Sequence, residues 1–277
     1  MRITRADARD LTSMRCGGTI EHLIEVESPE ELATLVSGLE RFLVLGGGTN
    51  TIFSDQPTSF PVLKLGKNFH RIDREGDLIH AGAAAALASL LSFSREEGLS
   101  GLEDLAGIPG TVGGAIRMNA GTGGWGIMDS VSAVELVDAS GVRTLDRAQI
   151  AYTYRHTDLS AAAVVTGVWL KLKGEPPQVI ARKIAANLER RKSQPKGASC
   201  GCIFKNPSGE SAGKLIDQAG LKGRRIGGAV ISEAHANFII NDAGATSADI
   251  LALMALMRET VKTKFGIVLE EEVRIIG

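Results

Sequence analysis

Two glycine-rich segments constrain this sequence more than any other feature. Glycine makes up 33 of the 277 residues, about 12% where globular proteins average near 7%, and dense runs lie at residues 46–48 and 107–114. Both runs follow predicted strands or turns, where a backbone without Cβ atoms can approach a phosphate closely and offer it amide N–H groups. One such run can equally be a tight turn, but two together favour a cradle for a diphosphate.

The common nucleotide-binding fingerprints are absent from the sequence. The run GGGTNT lacks the last glycine of G-x-G-x-x-G, which disfavours a Rossmann NAD domain. Residues 209–215 resemble a P-loop, but they are one residue short and end in Leu215 instead of a magnesium-binding hydroxyl, so we interpret them as the start of a helix. Because the histidines and cysteines lack the spacing of a metal site, we predict no metal.

Composition and charge narrow the class of protein. Hydrophobic residues make up 44% and charged residues 23% of the chain, which is typical of a folded globular protein. The net charge of −1 gives no reason to expect nucleic acid or an anionic membrane surface as a partner, so we expect a small-molecule ligand. The chain has no run of about 18 apolar residues, and its first residues lack the apolar core of a signal peptide. We therefore expect a cytoplasmic protein without membrane insertion.

The order of predicted elements indicates an α+β fold in three parts. A strand–helix–strand unit occupies residues 1–66, and a strand-rich region with a hairpin near residue 140 occupies residues 67–175. Pro176–Pro177 then marks a boundary, because paired prolines restrict the backbone and cannot continue a sheet. Helices and strands alternate again over residues 176–277, which we predict to form a separate C-terminal α+β domain.

The last predicted strand covers residues 268–276. Its alternation places Glu270, Glu272 and Arg274 on one face, and Glu271 with the apolar residues on the other. On this pattern alone, a solvated face of the last strand explains the charges better than a functional site does.

Six tracts, in order and over nearly the whole chain, resemble the signatures of UDP-N-acetylenolpyruvoylglucosamine reductases. They are VLGGGTNTIFSD, GLEDLAGIPGTVGGAIRMNAG, YTYRHTD, GCIFKNPSGESAGKLIDQAGLKG, ISEAHANFIIN and LEEEVRIIG. The tract GIPGTVGGA followed by MNAG is shared in part with other flavoproteins of the vanillyl-alcohol-oxidase type, so it indicates the FAD fold, whereas the K-N-P and E-V-R tracts indicate the reaction. The chain resembles the shorter subtype of the family, since it lacks the inserted loop with which longer members cover their substrate.

The resemblance implies a two-part PCMH-type FAD-binding domain, with subdomains at residues 1–66 and 67–175, and a substrate-binding C-terminal domain. It implies non-covalent FAD as cofactor, NADPH as co-substrate, and reduction of UDP-N-acetylglucosamine enolpyruvate to UDP-N-acetylmuramate for peptidoglycan. The residues that it places at the cofactor are Gly46, Gly47, Gly48, Thr49, Asn50, Gly107, Ile108, Pro109, Gly110, Thr111, Gly113, Gly114, Ala115, Asn119, Ala120 and Gly121.

Three residues match catalytic positions of the family. Arg155 corresponds to the group that stabilises enolate-like charge on the substrate carboxylate, a task that suits the paired donors of a guanidinium. Glu272 corresponds to the glutamate in the segment before Val-Arg. Cys202 stands where the commonest pattern has serine, and we assign it as the proton donor, because a thiol with a reference pKa of about 8.5 is a stronger acid than an aliphatic hydroxyl.

Lys205, Asn206 and His235 match substrate-side positions, so we expect them to bind the sugar nucleotide. We also expect the protein to be a monomer or a weak homo-oligomer.

Two alternative functions stay open. One is another FAD-dependent oxidase of the same fold, although such enzymes often tether their flavin through a histidine, which both glycine segments lack. The other is a non-catalytic nucleotide-binding relative, against which the joint presence of Arg155, Glu272 and an acidic donor at residue 202 argues.

Overall fold

The computed structural model describes residues 1–277, the whole chain, and its mixture of helices and strands confirms the predicted α+β class. The strands are β1 Arg2–Asp7, β2 Thr19–Val26, β3 Leu43–Val44, β4 Thr51–Phe53, β5 Val62–Leu65, β6 Ile72–Glu75, β7 Leu78–Gly82, β8 Leu99–Ser100, β9 Val131–Asp138, β10 Gly141–Asp146, β11 Tyr152–Thr153, β12 His156–Thr157, β13 Val164–Lys171, β14 Lys173–Gly174, β15 Arg225–Ile226, β16 Ala229–Ile231, β17 Ile239–Asn241 and β18 Arg274–Ile276. The helices are α1 Ala8–Leu11, α2 Pro29–Ser37, α3 Leu87–Glu96, α4 Val112–Met118, α5 Pro177–Arg191, α6 Ala212–Gln218 and α7 Ser247–Phe265.

The chain divides into two compact units, each assembled from separate stretches of sequence. The first unit comprises residues 1–3, 23–47 and 60–192, and the second comprises residues 4–22, 48–59 and 193–277. The three-part division at residues 66 and 175 stays a prediction. The units of the structure are drawn differently, because the second unit combines the C-terminal residues with two stretches from the first sixty residues.

The first unit is built on a five-stranded antiparallel sheet with the order β10-β9-β13-β7-β6. The predicted hairpin is present as β9 and β10, which join where Asp138 pairs with Gly141. Side chains alternate across the sheet, so that Ile79, Val134 and Leu170 all lie buried on one face. This face shares a core with α3 and α4, and the second glycine-rich run lies in the connection between these two helices.

A four-stranded sheet has the order β1-β2-β5-β3, and its strands β2, β5 and β3 pair in parallel. Strand β3 leads into the first glycine-rich run. Helix α2 connects β2 to β3, and the tract Ser28-Pro29-Glu30-Glu31 predicts its start, because it offers an N-cap serine, a first-turn proline and a capping-box glutamate. The structure confirms this start, since Ser28 Oγ accepts a hydrogen bond from Glu31 N at 3.2 Å. Glu31 Oε2 in turn accepts from Glu27 N at 2.8 Å, one residue before the position of a standard capping box.

Helix α5 begins at the proline pair, where the sequence predicts a boundary. Pro177 is the first residue of α5, a position where the missing N–H of proline costs no hydrogen bond. The helix stays with the first unit, because Ile180 is fully buried there and Asn187 Nδ2 donates to Glu103 O at 2.8 Å. The proline pair thus starts a helix of the first unit.

The second unit has its core between two helices and the antiparallel sheet β15-β16-β17. Helix α7 begins with a capping box between Thr246 and Asp249 and ends at Gly266, which has a φ of +72°. Helix α6 begins at Ser211, whose Oγ accepts from Lys214 N at 3.3 Å, so the P-loop-like residues are a helix start, as interpreted. No helix of the structure combines the length and the hydrophobicity needed to cross a bilayer.

The C-terminal strand is shorter than the predicted strand over residues 268–276. Only Arg274–Ile276 form a strand, which runs parallel to β4. The predicted alternation of exposed and buried side chains continues as far as Val273, which is buried. It then shifts by one residue, so that Ile275 is exposed and Ile276 is buried. The shift arises because the residues before Arg274 pair antiparallel with a different segment of the chain.

Candidate active site

Gly46 of the first glycine-rich run meets the second run in the first unit, beside the N-terminus of α4. Gly46 lies so close to Thr111, the N-cap residue of α4, that a Cβ on Gly46 would stand 2.5 Å from Thr111 Oγ1. The structure therefore brings these two predicted cofactor residues together, which is the arrangement that a shared diphosphate cradle requires.

Several glycines of these runs are explained by the fold alone. Gly107 and Gly110 have φ values of +77° and +120°, which strain any residue with a Cβ. Gly48, at +63°, lies so close to α1 that a Cβ would stand 2.0 Å from Leu11 O. These glycines are therefore required whether or not a ligand binds.

Gly114 is different, because packing within the chain does not require a glycine there. A Cβ on Gly114 would contact only Thr111 Oγ1, at 3.6 Å, although glycine inside a helix costs about 0.5–1 kcal/mol relative to alanine. The open space beside Gly114 and Thr111 fits a ligand that approaches the backbone closely, as the diphosphate of FAD would. The amide of Gly113, by contrast, already donates to Ala83 O at 2.8 Å.

Asn119 ends α4 and positions the hairpin that carries Arg155. It adopts a left-handed conformation, with φ +41° and ψ +56°, which asparagine tolerates better than most residues. Asn119 Nδ2 donates to Thr153 O at 3.0 Å, and Oδ1 accepts from Met128 N at 3.2 Å. The side chain of Asn119 is thus used within the protein, next to the predicted cofactor residues Ala120–Gly121.

Arg155 occupies the tip of the two-residue turn between β11 and β12. Its φ of +57° lies in the left-handed region, which costs a residue with a Cβ about 1–2 kcal/mol; residues strained in this way cluster at functional sites, although Arg15 has a similar φ of +54°. Arg155 Nη1 donates to Gly121 O at 2.8 Å, and Thr157 Oγ1 donates to Ile116 O at 2.6 Å. These bonds fix the strained turn against the glycine-rich tract.

Two short segments of the second unit pair antiparallel and carry the other two predicted catalytic residues. Glu272 N donates to Ile203 O, and Lys205 N donates to Glu270 O, both at 2.8 Å. Cys202 directly precedes Ile203. Cys202 and Glu272 therefore lie on neighbouring segments of one small sheet, although they are far apart in the sequence.

The three consecutive glutamates of this sheet have different surroundings. The side chain of Glu270 is exposed and forms an ion pair with Lys205. Glu271 points to the other side, where it forms an ion pair with Arg258 of α7. Glu272 is half-buried, and the alternation places it on the same face as Glu270.

Asn237 and Arg258 fix the segment that carries Cys202, and the sequence analysis assigned neither. Asn237 is only 1% exposed; its Oδ1 accepts from Phe204 N at 3.0 Å, and its Nδ2 donates to Phe204 O at 2.8 Å. The Arg258 guanidinium lies over the Phe204 ring, 5.9 Å from its centroid. The sequence signal for Asn237 is an amide inside the apolar run ANFII, whereas Arg258 looks like any arginine on a helix.

The predicted substrate-side residues His235 and Asn206 already use one polar atom each. His235 Nδ1 accepts from Asn237 N at 3.2 Å, so the neutral ring carries its proton on Nε2, and burial lowers the pKa of His235 and so favours that neutral ring. Asn206 Oδ1 accepts from Ala212 N, at the start of α6, at 3.0 Å. The His235 Nε2–H and the Asn206 amide N–H groups suit the acceptor oxygens of a sugar nucleotide.

The three cysteines are free thiols with different surroundings. Cys16 and Cys200 are 1% and 5% exposed, and burial raises the pKa of Cys16 to about 12 and that of Cys200 to about 11. Cys202 is only half-buried. Because the thiolate is the form that reacts with alkylating agents, Cys202 is the thiol that a reagent or a substrate can reach.

Comparison with known proteins is consistent with this geometry. Residues 20–146 match a family described as FAD binding domain, and residues 193–276 match the UDP-N-acetylenolpyruvoylglucosamine reductase C-terminal domain. The UDP-N-acetylenolpyruvoylglucosamine reductase of an Anaeromyxobacter species is 42% identical over 96% of this chain and 86% of its own length. That of Geobacter sulfurreducens is 39% identical over 96% and 91%. The crystal structure of the reductase from Thermus caldophilus is 38% identical, covers all of both chains and superposes with a TM-score of 0.91.

The matched FAD-binding domain contains both glycine-rich runs, so the class of this protein is an FAD-containing oxidoreductase. The relatives cover nearly the whole chain at 38–42% identity. The chain belongs to the UDP-N-acetylenolpyruvoylglucosamine reductase family, and the resemblance of its six tracts is confirmed.

Replacing Arg155 separates backbone strain from function. Arg155→Gly and Arg155→Ala both remove the guanidinium, but only glycine relieves the left-handed strain, so we expect Arg155→Gly to be about 1 kcal/mol more stable than Arg155→Ala. Both variants should lose activity by about 100-fold or more, because an electrostatic donor at the substrate carboxylate is lost. Thermal unfolding and steady-state kinetics measure the two effects, and wild-type turnover in either variant would contradict the assigned role.

Replacing Gly114 tests the cofactor cradle. Gly114→Ala should leave the apoprotein as stable as the wild type or about 0.5–1 kcal/mol more stable, because the Cβ meets no backbone. It should weaken FAD binding by about tenfold or more, because the Cβ occupies the space beside Thr111. Titration of flavin fluorescence measures the affinity. Gly38→Ala, whose Cβ would meet only Leu35 O at 3.8 Å, is the matched control, and unchanged FAD affinity in Gly114→Ala would rule this space out as the cofactor site.

Proposed function

We propose that the protein reduces UDP-N-acetylglucosamine enolpyruvate to UDP-N-acetylmuramate, with NADPH as co-substrate and non-covalently bound FAD as cofactor. The names of its relatives support the substrate class. The observation that carries the proposal is the antiparallel pairing of the Cys202 and Glu272 segments, which brings the backbone of a candidate proton donor next to that of a candidate carboxylate. We also propose that it acts in the cytoplasm as a monomer or weak homo-oligomer, in peptidoglycan synthesis and thereby in cell shape and division.

Arg155 would stabilise the charge that develops during the reaction. FAD, when bound, would supply to the enolpyruvyl methylene carbon the hydride that it takes from NADPH. The adjoining carboxylate then gains enolate-like charge, which the paired donors of the Arg155 guanidinium can stabilise. The strained backbone of Arg155 supports this role, since such strain persists where function requires it.

Cys202 would donate the proton to the carbon beside the methylene group. Its segment is bonded on one side to the Glu272 segment and on the other to residues 237–238, which fixes the backbone that carries the thiol. Glu272, from the neighbouring segment, assists this proton transfer. The other two thiols are too deeply buried to take the role.

The sugar nucleotide would be bound by Lys205, Asn206 and His235. Lys205 supplies positive charge, which Glu270 partly balances, so it suits an anionic group of the substrate. In Asn206 and in His235, the acceptor atom of the side chain is already hydrogen-bonded within the protein. The same side chains present N–H groups as donors to the substrate. These bonds orient the donors before substrate binds.

An anaerobic experiment tests the function. Holoenzyme is reduced with NADPH and then mixed with UDP-N-acetylglucosamine enolpyruvate. We expect rapid reoxidation of the flavin and formation of UDP-N-acetylmuramate, and release of unmodified FAD on denaturation. A flavin that a small alcohol reduces and dioxygen reoxidises, and whose reduced form does not react with the enolpyruvyl compound, would instead support an oxidase. Failure to bind FAD would support a non-catalytic relative.

Substitution of Cys202 tests the proton donor. We expect Cys202→Ala to slow reoxidation by the substrate by about 100-fold or more, the usual contribution of a positioned acid. In the wild type this rate should fall at alkaline pH, because a donor thiol acts only while protonated; Cys202→Ser should lose this fall, because a hydroxyl stays protonated. Stopped-flow measurements across pH provide the profiles, with Cys16→Ala as the control. Wild-type reoxidation in Cys202→Ala would remove Cys202 from the mechanism.

A further inference from the structure

Four short segments of the second unit form one small sheet around Glu272. Its hydrogen bonds run from Ile203 N to Asn237 O at 2.9 Å, from Glu272 N to Ile203 O at 2.8 Å and from Arg274 N to Asn50 O at 2.9 Å. The proposed proton donor precedes Ile203, and the proposed carboxylate is on the next segment. The first glycine-rich run leads directly into the outermost segment, which starts at Asn50 and continues as β4.

Asn50 completes this sheet with its side chain. In the parallel pair of β4 and β18, Arg274 N donates to Asn50 O, and Ser54 N donates to Ile276 O at 2.7 Å. A regular parallel ladder would continue towards Glu272 with a bond from the next backbone N–H to Glu272 O. Asn50 Nδ2 lies in that place, 2.9 Å from Glu272 O. Asn50 therefore bonds to the backbone on both sides of Val273, at Glu272 O and at Arg274 N.

The backbone of Glu272 is fixed through both of its polar groups. Its N–H donates to Ile203 O, and its carbonyl accepts from Asn50 Nδ2. With both groups bonded, the sheet sets the direction of the Glu272 Cα–Cβ bond, from which the carboxylate extends. Without the Asn50 amide, one edge of the segment would be free to move, and a displacement of about 1 Å at a reacting group can cost about 100-fold in rate.

We propose that Asn50 is a positioning residue for Glu272, which connects the end of the glycine-rich run to the carboxylate that serves reduction of the substrate. The proposal rests on the function proposed above. It gives Asn50 a task beyond the cofactor contact that the family resemblance implies.

The two half-reactions separate this role from cofactor binding. Asn50→Ala removes the amide, and Asn50→Asp keeps its shape without the donor. At saturating FAD we expect reoxidation of both variants by UDP-N-acetylglucosamine enolpyruvate to be slowed about 10- to 100-fold more than their reduction by NADPH, each rate taken relative to wild type. Anaerobic stopped-flow measures both rates, and fluorescence titration of FAD affinity sets the concentration at which each variant is saturated.

Asn241→Ala is the matched control. Asn241 Nδ2 also donates to backbone carbonyls of the second unit, Met14 O at 2.9 Å and Arg15 O at 3.0 Å, so its loss should lower the unfolding temperature to a similar extent. We expect both half-reactions of Asn241→Ala to match the wild type, because its bonds do not touch the Glu272 segment.

Amide hydrogen exchange gives a readout that does not depend on turnover. Glu272 N–H and Arg274 N–H should exchange faster in Asn50→Ala than in the wild type, and at the wild-type rate in Asn241→Ala. Unchanged exchange at these two amides would overturn the proposal, as would weakened FAD binding with normal reoxidation at saturating FAD, or equal slowing of both half-reactions. If the wild-type enzyme does not react with the enolpyruvyl compound, the proposed function fails, whereas the exchange result still decides whether Asn50 fixes Glu272.

Discussion

The antiparallel hydrogen bonds between residues 202–205 and 270–272 are the constraint on which the rest of the site depends. Neither segment belongs to a long strand, so few backbone bonds connect them. A buried peptide group without a partner costs about 1–3 kcal/mol, and side chains supply the partners that a wider sheet would provide. Asn237 bonds to both polar groups of Phe204 on one side, and Asn50 bonds to Glu272 O on the other. Two asparagines thus give rigid positions to groups on irregular backbone.

In the first unit, irregular backbone is accommodated by backbone conformation. Gly107 and Gly110 adopt positive φ values at no steric cost, and Asn119 ends α4 in the same region while its amide bonds to the next hairpin. Arg155 is the exception, since a large side chain adopts a left-handed conformation where glycine would be more stable. The fold accepts strain at the one residue whose guanidinium the proposed reaction requires.

Local features could be predicted from the sequence, and pairings between distant segments could not. The start of α2 at Ser28 and the β9–β10 hairpin depend on neighbouring residues, so turn and capping chemistry was sufficient to predict them. The structural role of the proline pair was ambiguous, because Pro177 can end one region or begin a helix. In the structure Pro177 begins α5, and Ile180 of this helix is buried in the first unit. The roles of Cys202, Arg155 and Glu272 came from resemblance to a family. Asn237 and Arg258 were missed because their function depends on Phe204, to which no periodicity connects them.

The most direct test of the central claim is a crystal structure of the FAD-bound protein with UDP-N-acetylglucosamine enolpyruvate. We expect Cys202 Sγ within about 4 Å of the enolpyruvyl carbon that receives the proton and the Glu272 carboxylate within hydrogen-bonding distance, below about 3.5 Å, of a group on the substrate or of that thiol. Asn50 Nδ2 should remain bonded to Glu272 O. A complex in which Cys202 or Glu272 points away from the enolpyruvyl group would contradict the account.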